Sequence, residues 1–225
     1  MRLAVPLLAA LALVTLAACG GGDDAEPAEP TVLAQRVVVE ADAPGSKDDP
    51  VETGETTADL NEFIVVMNDL AINPDMEELT DVFTQAGFVA AVLDTRFFGE
   101  THSPDAPHVN SSVIQLQSEQ GAEDALEWID NDNLKPCPTS CAVRISEFDV
   151  DGIPDARGVH RSASAEDIAA RGAEGEEPRD DYRIVFTDGS FVYTVYLHGP
   201  PGSVSEDEAT DIANAFYERV RDLTS

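Results

Sequence analysis

Two cysteines, a run of acidic residues and four histidines are the side chains of this chain best suited to chemistry. Cys137-Pro138-Thr139-Ser140-Cys141 sets two thiols four positions apart. Three chemistries suit that pair: a structural disulfide, a thiol redox couple and a metal-carrying dithiolate. A tight turn brings α-carbons at i and i+4 within disulfide range, and Pro136 and Pro138 limit how far the loop opens. Redox pairs of the C-x-x-C kind sit at a strand-to-helix junction, whereas this C-x3-C follows a helix pattern. A disulfide between Cys137 and Cys141 is therefore expected.

Glu147, Asp149, Asp151 and Asp155 follow the order of acidic positions in a calcium loop, with Gly152 at the sharp turn. The position that should supply the closing bidentate carboxylate is Gly158. A β-hairpin turning at Asp151-Gly152 accounts for the flanking apolar residues equally, so no metal site is assigned. His102, Asp105 and His108 share a polar loop, where histidines are ordinarily solvated. His160 and His198 fall in strand patterns and are expected to be structural. The chain has no G-x-S-x-G, H-E-x-x-H, phosphate-binding loop or dinucleotide fingerprint, so neither an enzyme activity nor a cofactor is expected.

Charge narrows the partners. The chain carries 13 Lys+Arg against 44 Asp+Glu, a formal net charge of −31. Such a surface repels phosphate backbones and anionic headgroups, which excludes nucleic acid as a partner and leaves a protein or a small molecule.

The elements that must position these residues are legible from periodicity. Leu60, Phe63, Ile64, Met67 and Leu70 form one helical face. Asn73-Pro74 supplies a cap and a first-turn proline for a second helix, whose stripe of Leu79, Val82, Phe83 and Ala86 stops at Gly87. Phe88 to Phe98 and Ser112 to Gln117 read as strands separated by the loop Gly99 to Asn110. Ala122, Ala125, Leu126 and Ile129 mark a helix carrying Trp128. Val143 to Val150 and Ala156 to Ser162 read as paired strands, with a bulge expected near Ser146 or Glu147. Ser164 to Pro178 is a surface excursion holding a short helix near Glu166 to Ala170. Tyr182, Ile184 and Phe186 alternate up to an Asp188-Gly189 turn, and Phe191, Tyr193, Val195 and Leu197 alternate back. Val185, Val192 and Tyr196 have the opposite phase, so the sheet is covered on both faces. The capping box Ser205 to Glu208 opens a last helix with Ala209, Ile212, Ala213, Phe216, Val220 and Leu223 on its stripe, and Arg219 and Arg221 complement its C-terminal dipole. The order predicts an α+β domain, a mainly antiparallel sheet with helices packed on it.

The N-terminus precedes this domain. Arg2 and the apolar run Leu3 to Leu16 form a signal-peptide core, too short to span a bilayer. It ends in Leu16-Ala17-Ala18-Cys19, which resembles the bacterial lipoprotein box at all four positions. The resemblance implies cleavage before Cys19 and lipidation of its sulfur, with the mature protein held on the outer face of the cell membrane. Two or more acyl chains make a stable anchor where one is marginal. Residues 1–18 are thus the signal peptide, 19–57 an acidic Pro/Gly-rich tether, and 58–225 a single extracytoplasmic domain. As a coil the tether reaches about 35 Å. Its composition cannot offset its ordering entropy, so a chain starting near Thr56 is expected to fold as well. Within it, Val37-Val38-Val39 is the one run able to dock as an edge strand.

With this order, the domain also resembles exported lipoproteins of the LpqN type, through the lipobox, the acidic tether and the strand-to-helix ending from Tyr182 to Val220. That resemblance implies an α/β/α sandwich serving as a non-catalytic binding or protein-interaction module of the cell envelope, without catalytic residues to carry over. Two other readings stand beside it: a lipid or small-molecule carrier with an apolar cavity, and a thiol redox or metal-carrier protein using Cys137 and Cys141.

Overall fold

Strand alternation decides the middle layer. In the computed structural model, which describes residues 30–48, 56–70, 75–99, 106–136, 143–171 and 177–224, eight strands form one antiparallel sheet. They are β1 (Ser46–Asp48), β2 (Thr56–Thr57), β3 (Phe88–Phe98), β4 (His108–Leu116), β5 (Arg144–Phe148), β6 (Arg157–Ala163), β7 (Arg179–Asp188) and β8 (Phe191–Gly199). The order is β1-β3-β4-β8-β7-β6-β5, with β2 also paired to β3. The helices are α1 (Pro30–Ala34), α2 (Leu60–Leu70), α3 (Met76–Gln85), α4 (Glu119–Asn133), α5 (Ala165–Arg171) and α6 (Glu206–Thr224).

Because side chains alternate across a strand, β7 and β8 feed two cores. Ile184, Phe186, Tyr193, Val195 and Leu197 meet α6 through Ala209, Ile212, Ala213, Phe216 and Val220 on one face. Val185, Val192 and Tyr196 meet α2, α3 and α4 on the other, among Phe63, Phe83, Ala125 and Ile129. The result is an α/β/α sandwich, the α+β class expected from the alternating strands. Rings close each core: Phe186 and Tyr193 stack at 5.1 Å, and Phe63 meets Phe83 edge-on at 4.9 Å. Trp128 ties α4 to α3 by donating from Nε1 to Glu78 at 3.2 Å.

Several local expectations shift. The N-cap of α3 is Asp75, whose carboxylate accepts from the amides of Glu77 and Glu78; Asn73-Pro74 lies outside the described residues. β4 starts at His108 rather than Ser112, and α4 starts after its N-cap Ser118. β5 pairs β6 in continuous register, without the bulge expected at Ser146 or Glu147. As an edge strand with little burial, β5 need not keep its apolar residues in phase, and Phe148 simply lies over its partner Gly158. The register shift falls instead between Phe88 and Ala90 in β3. The β7–β8 loop is Gly189-Ser190, one residue later than expected, with Gly189 at φ 57°. Glycine at the first loop position suits a two-residue hairpin.

The largest difference lies in the segment expected to be a free tether. From Pro30 to Asp48 the chain is packed on the sheet, with Leu33, Val38 and Ala43 at 0% exposure inside the α6-side core. Val37 to Val39 does dock, but as a loop rather than a strand, and β1 adds to the β3 edge through Ser46–Asp48. Composition averaged over the segment hid four apolar side chains whose burial offsets the ordering cost locally.

Candidate functional site

Polar side chains come together at several places on the described residues, and three of them bear on the expected site residues or on the docked segment. The first is the β5–β6 connection. Asp151-Gly152 does not make a two-residue turn; the strands are joined by an eight-residue loop in which Ile153 is buried and Asn214 of α6 donates to the Asp151 carbonyl at 3.0 Å. Gly152, at φ 94°, takes a backbone geometry that side chains disfavour. Glu147, Asp149, Asp151 and Asp155 all line one cleft of about 550 Å³ with Phe148, Val150 and Ile153. Asp130 on its wall is bound to Arg157 at 2.9 Å. Among the described residues no three carboxylates or histidines converge closely enough to hold a metal ion. The loop stretches around the buried Ile153.

The second place was not expected from sequence. On the α4 side, β7 continues the phase of Val185 with Arg183 and Asp181, and their neighbours across the sheet are Tyr196, His198 and Arg161. This end of the face is polar and largely buried. Arg183 donates to Asp181 at 2.8 Å and to Asn133 Oδ1 at 3.1 Å, and its guanidinium stacks 4.7 Å from the Tyr196 ring. Arg161 donates to the backbone carbonyls of Asn133 and Lys135, closing the C-terminal end of α4. His198 Nδ1 lies 3.2 Å from Asp181, and its ring stacks on His108 at 4.9 Å.

Electrostatics follow from that packing. Burial pushes His198 down to about 4, against the pull of Asp181 and with help from His108, Arg183 and Arg179, so it is neutral at pH 7. Burial also lowers Arg161 to about 10, aided by the neighbouring Arg183. For Asp181 burial acts upward, but Arg183, His198 and Arg161 outweigh it and hold the carboxyl low. The cluster joins three strands to α4 through paired charges, while Asn133 Nδ2, Asp181 Oδ1 and His198 Nε2 stay buried without a hydrogen-bond partner among the described residues. The signal that could have found it is charge at inward-phase positions, since Asp181 and Arg183 sit where Val185 predicts apolar neighbours.

The third place is a latch. Arg219 Nε and Nη2 grip both carboxylate oxygens of Asp42 at 2.7–3.0 Å, and the same guanidinium donates to the carbonyls of Gln35 and Val37. Arg219 thus binds the docked N-terminal segment rather than merely complementing the α6 dipole. Arg36 supports it by donating to the Tyr193 hydroxyl at 2.8 Å and covering Phe191. Beside the latch, an open cleft of about 450 Å³ runs between residues 41–44 and α6, lined by Phe98, Glu208, Asp211, Ile212 and Ala215.

Of the remaining expected residues, His160 is structural, stacked on Tyr182 at 4.2 Å and 3.1 Å from Asp180. His108 opens β4 and bonds the Ala106 carbonyl; His102 and Asp105 lie outside the described residues. So do Cys19 and the expected disulfide pair Cys137 and Cys141.

The fold has a solved counterpart. The chain is similar to the extracellular domain of PknH from Mycobacterium tuberculosis, with a TM-score of 0.53 and 16% identity over 88% of this chain and 98% of that one. At that identity the likeness is one of fold. No family model and no curated protein matches the sequence. Among the described residues no helix is long and apolar enough to cross a membrane.

Proposed function

We propose that this chain is a membrane-anchored lipoprotein of the cell envelope, held through lipid on Cys19, whose extracytoplasmic domain is a non-catalytic binding or protein-interaction module. The observation that carries the binding half is the use of its polar side chains. Asp181, Arg183, His198 and Asn133 are tied to one another, and Arg219 to Asp42, while the surface offers open clefts with carboxylates at their edges. Such clefts recognise a partner; they do not exclude water from a reacting group. The anchor half rests on Leu16-Ala17-Ala18-Cys19 and fits a fold shared with an extracellular domain. The carrier alternative is disfavoured by the two cores, whose large side chains Phe63, Phe83, Phe186, Tyr193 and Phe216 at 0% exposure occupy both sides of the sheet.

The test is lipid labelling and fractionation of the full chain and its Cys19→Ser variant in a bacterial host. The native chain should incorporate labelled palmitate and sediment with membranes, and the variant should do neither. Label retained by the variant, or a native chain that stays unlabelled and in the soluble fraction, overturns the anchor.

A further inference from the structure

We infer that the cleft between residues 41–44 and the first half of α6 is the recognition site, and that its occupant is a basic, partly apolar segment of a partner protein. The inference deepens the binding-module reading and rests on that part of it alone, independent of the lipid anchor. The floor and walls are apolar: Ala43 and Ile212 are buried, and Phe98 and Ala215 are half-buried against them. A volume of about 450 Å³ takes one or two side chains and lies within the range of specific ligand clefts.

The rim decides the chemistry of the occupant. Glu208 and Asp211 stand three residues apart on α6, hence on one side of it. Among the described residues neither carboxylate has a cationic partner. Asp42 also lines the cleft, but both its oxygens are engaged by Arg219, so those two charges are already matched. An aliphatic side chain in the floor with lysine or arginine on either side would bury apolar area and meet both free carboxylates. The net charge of −31 steers such a segment in and repels acidic ones. A small polycation would satisfy the rim and leave the floor empty. Because residues 41–44 form one wall, an occupied cleft also holds the docked segment against α6.

The experiment uses the full chain carrying Cys19→Ser, so its outcome does not depend on lipidation. Fluorescence anisotropy is read with labelled hexapeptides alternating lysine with leucine, lysine with serine, and glutamate with leucine, and with spermidine as competitor. The lysine–leucine peptide should bind at least about tenfold more tightly than the lysine–serine one, and the glutamate–leucine peptide should not bind. Joint Glu208→Lys and Asp211→Lys replacement should weaken binding about tenfold. Ala215→Leu, or Ala215→Trp where circular dichroism shows a native melt, should fill the floor and weaken it similarly. Equal binding of both lysine peptides, full displacement by spermidine at equivalent charge, or indifference to the α6 variants would overturn the site and leave only diffuse electrostatic attraction.

Discussion

His198 is a histidine that the fold keeps neutral. Its folded value of about 4 lies below the ordinary value near 6.5, so as the pH falls the unfolded chain takes up the proton first. The stability held by the neutral ring is therefore fully present above about pH 6.5 and lost progressively down to about pH 4, by about 3 kcal/mol in all. Asp181, held low, adds a loss in the same direction at lower pH. Urea unfolding between pH 4 and 7 should show stability rising with pH, and His198→Asn should flatten that slope; an unchanged slope would place the titration elsewhere. Arg219 is the second residue on which much depends. Arg219→Ala leaves the buried Asp42 carboxylate with only the Val39 amide and no cationic partner, and should cost about 3 kcal/mol. Hydrogen exchange should then quicken at the Val38 amide, which is bonded to Ser111 Oγ at 3.1 Å.

At the scale of elements, the contact between α3 and α4 depends on a missing side chain. A Cβ on Gly121 would overlap the Ala86 carbonyl oxygen, at the C-terminal end of α3. Gly121→Ala must push the two helices apart and should lower stability by about 2 kcal/mol, read as a fall in thermal midpoint without loss of cooperativity. The docked segment 30–48 carries an opposite expectation to the one its composition suggests. A chain starting at Thr56 should lose roughly 5 kcal/mol relative to one starting at Gly20, because Leu33, Val37 and Val38 leave the core and expose their contacts on β3, β4 and α6. Equal denaturant midpoints for the two chains would show that the segment adds no stability.

For the whole molecule, the docked segment changes how the proposed anchor holds the domain. If Cys19 carries lipid, 11 peptide steps separate it from Pro30, a span of at most about 40 Å even fully extended. The latch keeps residues 30–48 from adding to that length. A fluorophore on α6 and an acceptor in the bilayer should report a short separation in the native chain and a longer one in Arg219→Ala. The same distance in both would mean that the segment stays docked without its latch.

Much of this protein is determined by sequence alone, because periodicity and capping are local. The phase of Ile184 and Phe186 against Val185, the stripe from Ala209 to Val220 and the Ser205 cap define a two-faced sheet and its last helix, since side-chain direction follows directly from residue spacing. The proposed lipid anchor likewise rests on a contiguous stretch, Leu16 to Cys19. Tertiary structure alone decided three other matters. Arg219 meets Asp42 across 177 positions, Arg183 meets Asn133 across 50, and Glu147 to Asp155 opens into a loop around the buried Ile153. In each case the deciding energy is that of a buried charge finding its partner, or an apolar side chain finding its core, at a sequence separation no local pattern encodes.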